Sequence, residues 1–330
     1  MEAVYQLGID LALFLQGLGD WLYVPMRFFS LLAEEYALLL AIPVLYWCVN
    51  AQWGLRLGVY MMISGAFNGV LKLLFHGPRP FWMDTRVKSH VFESSFGIPS
   101  GHSQNSVVIF GTLAAWINKT WAWVTAGVIV FLVGLSRIYL GAHFITDVLA
   151  GWLIGALLLW ALFKWEKPFL DWLSQKRLSL QVLVTFGASL SFILLALLIN
   201  FAFSGWEIPT ERVKNARLAY PDETMNPLSI SGIVTYAAVL FGISAGALWL
   251  YSRGGFDAGG PVGKRILRLL IGLVGTAVFY LGLDLIFPEG ESAIALALRY
   301  LRYGLVGFWI GGLAPMIFVA LKLAERKKPA

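Results

Sequence analysis

Three short segments of this 330-residue chain hold cations, histidines and one carboxylate at spacings suited to binding and transferring an anionic group. In the first segment, Lys72 precedes Arg79 by about two helical turns, and Gly77 and Pro78 between them end a helix. Two cations held close together repel each other unless an anion lies between them. Taken alone, this segment is equally compatible with two side chains that reach toward lipid headgroups.

The second segment is the tetrapeptide Pro99-Ser100-Gly101-His102, which directly precedes an apolar run. A serine at a helix N-cap, followed by glycine, places a hydroxyl and unpaired backbone N–H groups at the positive end of the helix. That arrangement favours anion binding. His102, in the first turn, could then donate a proton to a bound group. An ordinary capped helix with an interfacial histidine is the alternative.

The third segment extends from Ser136 to Asp147 and includes Arg137 and His143. His143 and Asp147 are four residues apart at the predicted start of a helix, so they lie on one face. A carboxylate that accepts one ring N–H fixes the tautomer of an imidazole and leaves the other ring nitrogen free. The planar fork of Arg137 matches phosphate oxygens. A buried, satisfied His–Asp pair is the alternative for this segment alone.

A metal site is the competing interpretation of the same residues. His76, His102 and His143 could be zinc ligands, but the sequence has no HExxH motif and no cysteine cluster. The three cationic side chains of these segments would also repel a metal ion. The pattern therefore predicts a site for an oxyanion, with no metal and no cofactor.

The composition indicates where such a site would be built. Hydrophobic residues make up 58% of the chain and charged residues 13%, and the mean hydropathy is +0.73. A soluble domain has about 25% charged residues. The 23 Phe, 14 Trp and 12 Tyr exclude intrinsic disorder, and the single Cys48 excludes a disulfide scaffold. The sequence predicts an all-α polytopic membrane protein. Lys and Arg at the cytoplasmic ends of its helices account for the net charge of +6, so we expect no nucleic-acid partner.

Apolar stretches of about 20 residues predict membrane-spanning helices. Residues 1–30 are apolar but interrupted by Asp10, Asp20 and Arg27, which predicts an interfacial helix or a marginal extra span. The mixed-sign segment 204–229 is predicted to be a solvated connection. The nine predicted spans are 31–49, 54–75, 101–117, 121–138, 143–163, 180–203, 230–251, 267–287 and 297–321.

The alternation of these spans places all three polar segments on the same side of the membrane. The short loops 164–177 and 253–268, on the opposite side, are rich in Lys and Arg. Because cytoplasmic loops collect positive charge, we expect the site to face the extracytoplasmic side of a plasma or inner membrane.

Together the segments resemble the three-part signature of the type 2 phosphatidic acid phosphatase (PAP2) superfamily. They read Lys-x6-Arg-Pro, Pro-Ser-Gly-His and Ser-Arg-x5-His-x3-Asp, in that order, over residues 72–147. The resemblance implies a helical catalytic core, similar to that of the vanadium haloperoxidases, over residues 31–170. It leaves residues 1–30 as an N-terminal segment and residues 171–330 as a transmembrane extension of about four helices.

The resemblance also implies a metal-independent phosphatase that hydrolyses a lipid phosphate or diphosphate through a phosphohistidine. By matching position, His143 is the nucleophile, Asp147 is its orienting partner, and His102 protonates the leaving oxygen. The residues that would bind the phosphoryl oxygens are Lys72, Arg79, Ser100, Gly101 and Arg137. Two alternatives stay open: a phosphotransferase of the same fold, and a non-enzymatic protein that binds or transports lipid phosphates.

Overall fold

The computed structural model describes residues 2–327, except for the side chains of residues 35–39, and the described residues form helices and loops without a strand. The predicted all-α class is confirmed. Residues 328–330 of the predicted extension lie outside the described part. The helices are α1 (Glu2–Gly17), α2 (Tyr23–Leu31), α3 (Glu35–Val44), α4 (Ala51–Phe75), α5 (Pro80–Met83), α6 (Gly101–Ile117), α7 (Thr120–Tyr139), α8 (Ile145–Ser174), α9 (Leu178–Ala202), α10 (Thr210–Ala219), α11 (Ser231–Tyr251), α12 (Val262–Asp284), α13 (Ala293–Phe308) and α14 (Ala314–Ala320).

Seven helical stretches of the described chain are long and apolar enough to cross a membrane, where nine were predicted. They are α4 with α5, α7, α8, α9, α11, α12, and α13 with α14. The predicted span 101–117 is α6, whose 17 residues are at the lower limit of spanning length. The predicted span 31–49 is interrupted at residues 32–34, and the helix that follows consists of the 10 residues of α3 and a 5-residue π-type turn at 45–49, which is too short to span a bilayer.

The N-terminal segment forms two helices instead of one. α1 and α2 meet at 93°, at a turn where Gly19 adopts a φ of +115°. That backbone conformation is accessible to glycine and costly for other residues. Neither arm is long enough to span a bilayer by itself. Whether 1–30 lies at the interface or crosses the membrane as a broken span stays a prediction.

Two compact units divide the chain, and four of the five boundaries between them fall within helices. The first unit comprises residues 1–37, 67–161 and 196–229. In it, α8 approaches the beginning of α6 closely, since a Cβ on Gly151 would lie 2.6 Å from the Ser100 carbonyl oxygen. The glycine therefore lets two helix N-termini that bear polar segments lie side by side.

Two details of the first unit differ from the sequence-based expectation. α8 begins at Ile145 and not at 143, so His143 lies in the preceding loop. The 204–229 segment, predicted to be a solvated connection, contains α10. This helix packs against α5, and its Asn215 amide donates a hydrogen bond to the Trp82 carbonyl at 3.1 Å.

The second unit comprises residues 38–66, 162–195 and 230–330, with α11, α12 and α13 as its main helices. Glycines allow α11 and α13 to pack backbone to backbone: a Cβ on Gly246 would lie 2.8 Å from the Phe308 carbonyl oxygen. Small residues at helix contacts are typical of membrane bundles. Tyr46 and Trp47 donate hydrogen bonds to the carbonyls of Gly311 and Ile310, at 2.8 and 3.1 Å.

Candidate active site

His143 lies in the loop between α7 and α8, with each ring nitrogen facing a different charged group. Nδ1 is 3.3 Å from Oδ2 of Asp147, and Nε2 is 3.3 Å from Nη1 of Arg79. A guanidinium can only donate, so Nε2 must hold a lone pair and the ring proton must be on Nδ1. The Phe144 amide donates to the same Asp147 oxygen at 3.0 Å and fixes the carboxylate. The geometry gives a neutral imidazole with its basic nitrogen in a cationic pocket.

The charge state of His143 follows from its surroundings. Its side chain is 1% exposed. Burial lowers the pKa of the imidazole well below 6.5, and the positive charges of Arg79, Arg137 and Lys72 lower it further. A ring with such a pKa is neutral at physiological pH, as a nucleophile must be.

Arg79 is fully buried, and its guanidinium is held by backbone carbonyls. Nε donates to the Ser95 carbonyl at 2.6 Å, Nη1 to that of Ala142 at 2.9 Å, and Nη2 to that of Phe96 at 3.1 Å. Ser95 also accepts through Oγ, from Arg79 Nη2 at 3.1 Å and from Lys72 Nζ at 2.8 Å. These bonds fix the orientation of the Arg79 fork.

A carboxylate bridges the two arginines. Glu93 Oε1 lies 2.6 Å from Arg137 Nη2, and Oε2 lies 3.4 Å from Arg79 Nη2. Burial alone would raise the pKa of Glu93, but Arg79, Arg137 and Lys72 hold it below its ordinary value. The group is therefore an anion. Its two oxygens lie between guanidinium groups that can equally bind two oxygens of a phosphoryl group.

Arg137 connects this pocket to the N-terminal segment. It lies in the last turn of α7 and is 1% exposed. Nη1 donates to Oγ of Ser30, at the end of α2, at 2.7 Å. Its Nε has no hydrogen-bond partner among the described residues. The Nε–H of Arg137 is therefore available to a phosphoryl group, which is larger and more highly charged than the Glu93 carboxylate.

The N-terminus of α6 forms the other part of the site. Ser100 is its N-cap, as predicted, and Oγ accepts from the Ser103 amide at 3.4 Å. The Gly101 and His102 amides belong to the first turn, whose N–H groups have no acceptor within the helix. His102 Nε2 is buried without a hydrogen-bond partner in the described chain. His102 lies near enough to His143 and Glu93 to act electrostatically on both.

The structure thus assembles the three predicted segments within the first unit, from the end of α4, the turn before α5, the start of α6 and the α7–α8 connection. The backbone joins them as well, since the Ser100 amide donates to the Asp147 carbonyl at 2.9 Å. The predicted site residues brought to this region are Lys72, Arg79, Ser100, Gly101, His102, Arg137, His143 and Asp147.

Three residues at the site escaped the sequence analysis: Glu93, Ser95 and Ser30. Charge balance could have identified Glu93. Three clustered cations need a counter-anion when no ligand is bound, and the 84–100 loop contains only two carboxylates. One of them, Asp84, forms an ion pair with Arg86. Neither serine stands out, because an isolated hydroxyl has no distinguishing pattern in sequence.

Comparison with protein families gives two matches. The model of the PAP2 superfamily matches residues 53–170, and that of the transmembrane extension of PAP2 superfamily phosphatases matches residues 234–326. Phosphatidylglycerophosphatase B of Bacillus subtilis (strain 168) is 46% identical over 77 residues, which cover 21% of this chain and 38% of that protein. Glucose-6-phosphatase 3 of Rattus norvegicus is 32% identical over 192 residues, which cover 49% of this chain and 54% of that protein.

Among solved structures, one similar protein is the transmembrane PAP2 type phosphatidylglycerolphosphate phosphatase from Bacillus subtilis. It is 28% identical, with a TM-score of 0.44, and the match covers 51% of this chain and 86% of that one. The chain spans about half, or less, of the length of the curated relatives named above.

Proposed function

This chain belongs to the PAP2 superfamily, and we propose that it is a multi-pass membrane phosphatase that hydrolyses a lipid phosphate or diphosphate without a metal ion. One observation supports this most strongly. The basic nitrogen of a neutral His143 faces Arg79. Arg79 and Arg137 both form ion pairs with the Glu93 carboxylate, in the way that they would bind the oxygens of a phosphoryl group. Relatives named for phosphatidylglycerophosphate and for undecaprenyl diphosphate agree with a lipid substrate.

Binding begins when the substrate phosphoryl group replaces the Glu93 carboxylate. Its oxygens are bound by Lys72, Arg79 and Arg137 and by the Ser100 hydroxyl and the amides of the first turn of α6. In the transition state of phosphoryl transfer, negative charge is spread over three equatorial oxygens. Fixed cations and a helix N-terminus aimed at those oxygens stabilise that charge, which is usually the largest catalytic contribution.

In the first chemical step, His143 Nε2 attacks phosphorus and the bond to the lipid oxygen breaks. His102 donates its proton to that oxygen, so the lipid leaves as an alcohol or, from a diphosphate, as a monophosphate. Asp147 stabilises the positive ring of the phosphohistidine. In the second step, His102 takes a proton from water, the water oxygen attacks phosphorus, and the P–N bond breaks. Phosphate leaves and His143 is neutral again.

The charge distribution supports an extracytoplasmic site. Segments 164–177 and 253–268, which include the α8–α9 and α11–α12 connections and the adjacent helix ends, lie opposite the α7–α8 connection in the alternation of the helices and are basic. Basic loops are retained in the cytoplasm. The α4–α6 loop, which contains Glu93, would then open to the outer leaflet.

Phosphate release by the purified protein tests the proposed hydrolase. The panel is phosphatidate, phosphatidylglycerophosphate, a sphingoid phosphate and a polyprenyl diphosphate, each in mixed micelles. We expect free phosphate and the dephosphorylated lipid in equal amounts. Transfer of the phosphoryl group to an added lipid or sugar alcohol would indicate a phosphotransferase. Binding without turnover of any panel member would indicate a transport or binding protein.

The depressed pKa of His143 predicts how activity depends on pH. The ring must be neutral to attack, and its pKa lies below 6.5, so protonation removes the nucleophile only when pH falls through that lower value. We expect the acid limb of kcat/KM to be half-maximal below pH 6.5, measured at constant ionic strength. An acid limb centred above pH 6.5 would contradict this assignment of the ionisation state.

Chelation of metal ions is expected to leave activity unchanged. Lys72, Arg79 and Arg137 supply the positive charge that a divalent ion supplies in metal-dependent phosphatases. The measurement is phosphate release before and after dialysis against EDTA, with a zinc-dependent phosphatase treated in parallel as control. A loss of activity that added Mg²⁺ or Zn²⁺ restores would contradict the proposed chemistry.

A further inference from the structure

Glu93 differs from the two arginines that it bridges in its access to solvent. Its side chain is 24% exposed, whereas those of Arg79 and Arg137 are 0% and 1% exposed. Glu93 lies in the loop between α5 and α6, outside any helix. The carboxylate can therefore leave the guanidinium groups for water by rotation of its own side chain, while both arginines stay buried.

The two arginines have other contacts that hold them in place when the carboxylate leaves. Three backbone carbonyls accept hydrogen bonds from Arg79. Ser30 Oγ accepts one from Arg137 at 2.7 Å, and the last turn of α7 fixes the Arg137 backbone. Departure of the Glu93 carboxylate would thus leave a preformed pair of guanidinium groups open to another anion.

The loop is anchored on both sides of Glu93. The Phe92 ring packs edge-on against that of Tyr220, with centroids 5.2 Å apart, and the Ser95 carbonyl accepts from Arg79 Nε at 2.6 Å. A carboxylate on so short a tether stays near the arginines after it leaves them, so its effective concentration at the pocket is high. Glu93 therefore competes with every anion that enters the pocket.

The carboxylate uses only part of the pocket. Its two oxygens lie 2.6 Å from Arg137 Nη2 and 3.4 Å from Arg79 Nη2. Arg137 Nε has no hydrogen-bond partner in the described part of the chain, and the first-turn amides of α6 have no acceptor within the helix. A phosphodiester has one negative charge and two free oxygens, as the carboxylate does. A phosphomonoester has nearly two charges and three free oxygens, so it can replace both bonds of Glu93 and use a further donor as well.

We infer that Glu93 is a specificity-determining residue that excludes the phosphodiester headgroups of the surrounding bilayer from the phosphoryl pocket. This role rests on the proposed phosphatase function. A pocket with three cations would otherwise attract the anionic phospholipids of the membrane, whose phosphodiesters a phosphatase does not hydrolyse. Competition by a tethered carboxylate weakens the binding of every anion by the same factor, so the anion that is excluded is the one that binds weakly by itself. Terminal phosphates, with a third free oxygen, still bind.

Inhibition by a phosphodiester lipid tests this role with Glu93→Gln, Glu93→Asp and the control Asp84→Asn. Glutamine keeps the size of the side chain and removes its charge, and Asp84 is the other carboxylate of the loop, paired with Arg86. The substrate is short-chain phosphatidate in micelles of a neutral detergent. The inhibitors are phosphatidylglycerol and inorganic phosphate, with a neutral glycolipid of the same acyl chains as the uncharged control.

Phosphatidylglycerol should inhibit the wild type no more than the glycolipid does. For Glu93→Gln we expect the Ki of phosphatidylglycerol and that of phosphate each to fall about tenfold or more, because both anions lose their competitor. Glu93→Asp keeps the charge on a shorter side chain and should give a smaller fall, and Asp84→Asn should give none.

The sign of the change in Ki separates competition from a structural role. A rise of both inhibition constants in Glu93→Gln would show that the carboxylate organises the arginines, and it would overturn the inference. Unchanged constants, or the same fall in Asp84→Asn, would overturn it as well. The Tm of each variant shows whether it folds.

Chemical labelling of the wild type needs neither a variant nor turnover. Carbodiimide with an added amine modifies accessible carboxyl groups, and mass spectrometry of peptides measures the extent at each residue. Sulfate, a tetrahedral dianion, should increase the labelling of Glu93 relative to chloride at equal ionic strength and leave that of Asp84 unchanged. Unchanged labelling of Glu93 at the highest sulfate concentration would contradict its displacement. A wild-type protein that hydrolyses no lipid phosphate would contradict the proposed function, whereas the labelling would still decide whether an oxyanion displaces Glu93.

Discussion

Replacing His143 with alanine is expected to reduce kcat by more than about a thousandfold, because the reaction then lacks its nucleophile. The phosphoryl pocket is built mainly from Arg79, Arg137 and Lys72, so substrate should still bind. The measurement is phosphate release from the best lipid of the panel, with KM or equilibrium binding determined separately. Loss of kcat with retained binding is the expected combination.

His90 supplies the matched control for this variant. Its ring stacks on Tyr139, with centroids 5.9 Å apart, and takes no part in the proposed chemistry. His90→Ala should keep most of the activity, and the melting temperatures of both variants should show that they fold. Activity of His143→Ala within about tenfold of the wild type would contradict the nucleophile assignment.

Replacing His102 with alanine is expected to slow hydrolysis of a lipid alkyl phosphate by about a hundredfold to ten-thousandfold, the usual contribution of a general acid. The alcohol oxygen of such a lipid is a poor leaving group unless it is protonated. The buried Nε2 of His102 has no hydrogen-bond partner in the described structure, so this ring nitrogen is available to the leaving oxygen. The measurement is single-turnover release of the lipid alcohol.

The leaving group provides the control for His102. p-Nitrophenolate leaves readily without a proton, so His102→Ala should slow p-nitrophenyl phosphate much less than the lipid. Hydrolysis of the lipid alkyl phosphate and of p-nitrophenyl phosphate should slow equally in His143→Ala, because both reactions need the nucleophile. Equal losses for the two leaving groups in His102→Ala would show that His102 is not the acid.

The parts of the site that sequence could predict are those encoded locally. Ser100 caps α6 because a serine hydroxyl can accept from the amide three residues on, and Lys72 is in the last turn of α4 because Gly77 and Pro78 follow. The His143–Asp147 pair forms although α8 starts two residues later than expected. In each case the partners lie within a few residues of each other.

The parts that sequence missed depend on contacts distant in the chain. Glu93 and Ser30 reach Arg137 from 44 and 107 residues away, and nothing in their neighbours indicates that meeting. The discontinuity of 31–49 was missed for another reason. The interruption at 32–34 lies beside Glu34 and Glu35, and this charged pair was given too little weight within an otherwise apolar stretch. The charged segment 204–229 looked solvated, but one face of α10 buries Ala216 and Asn215 bonds to Trp82.

Trapping the covalent intermediate tests the role of His143 most directly. Wild-type protein would be mixed with excess lipid phosphate labelled in the scissile phosphoryl group, quenched in alkali within milliseconds, digested, and analysed by mass spectrometry. A phosphoryl group on Nε2 of His143, stable in alkali and labile in acid, is the predicted result. Labelling of any other residue, or a stereochemical course at phosphorus that shows one direct transfer to water, would contradict it.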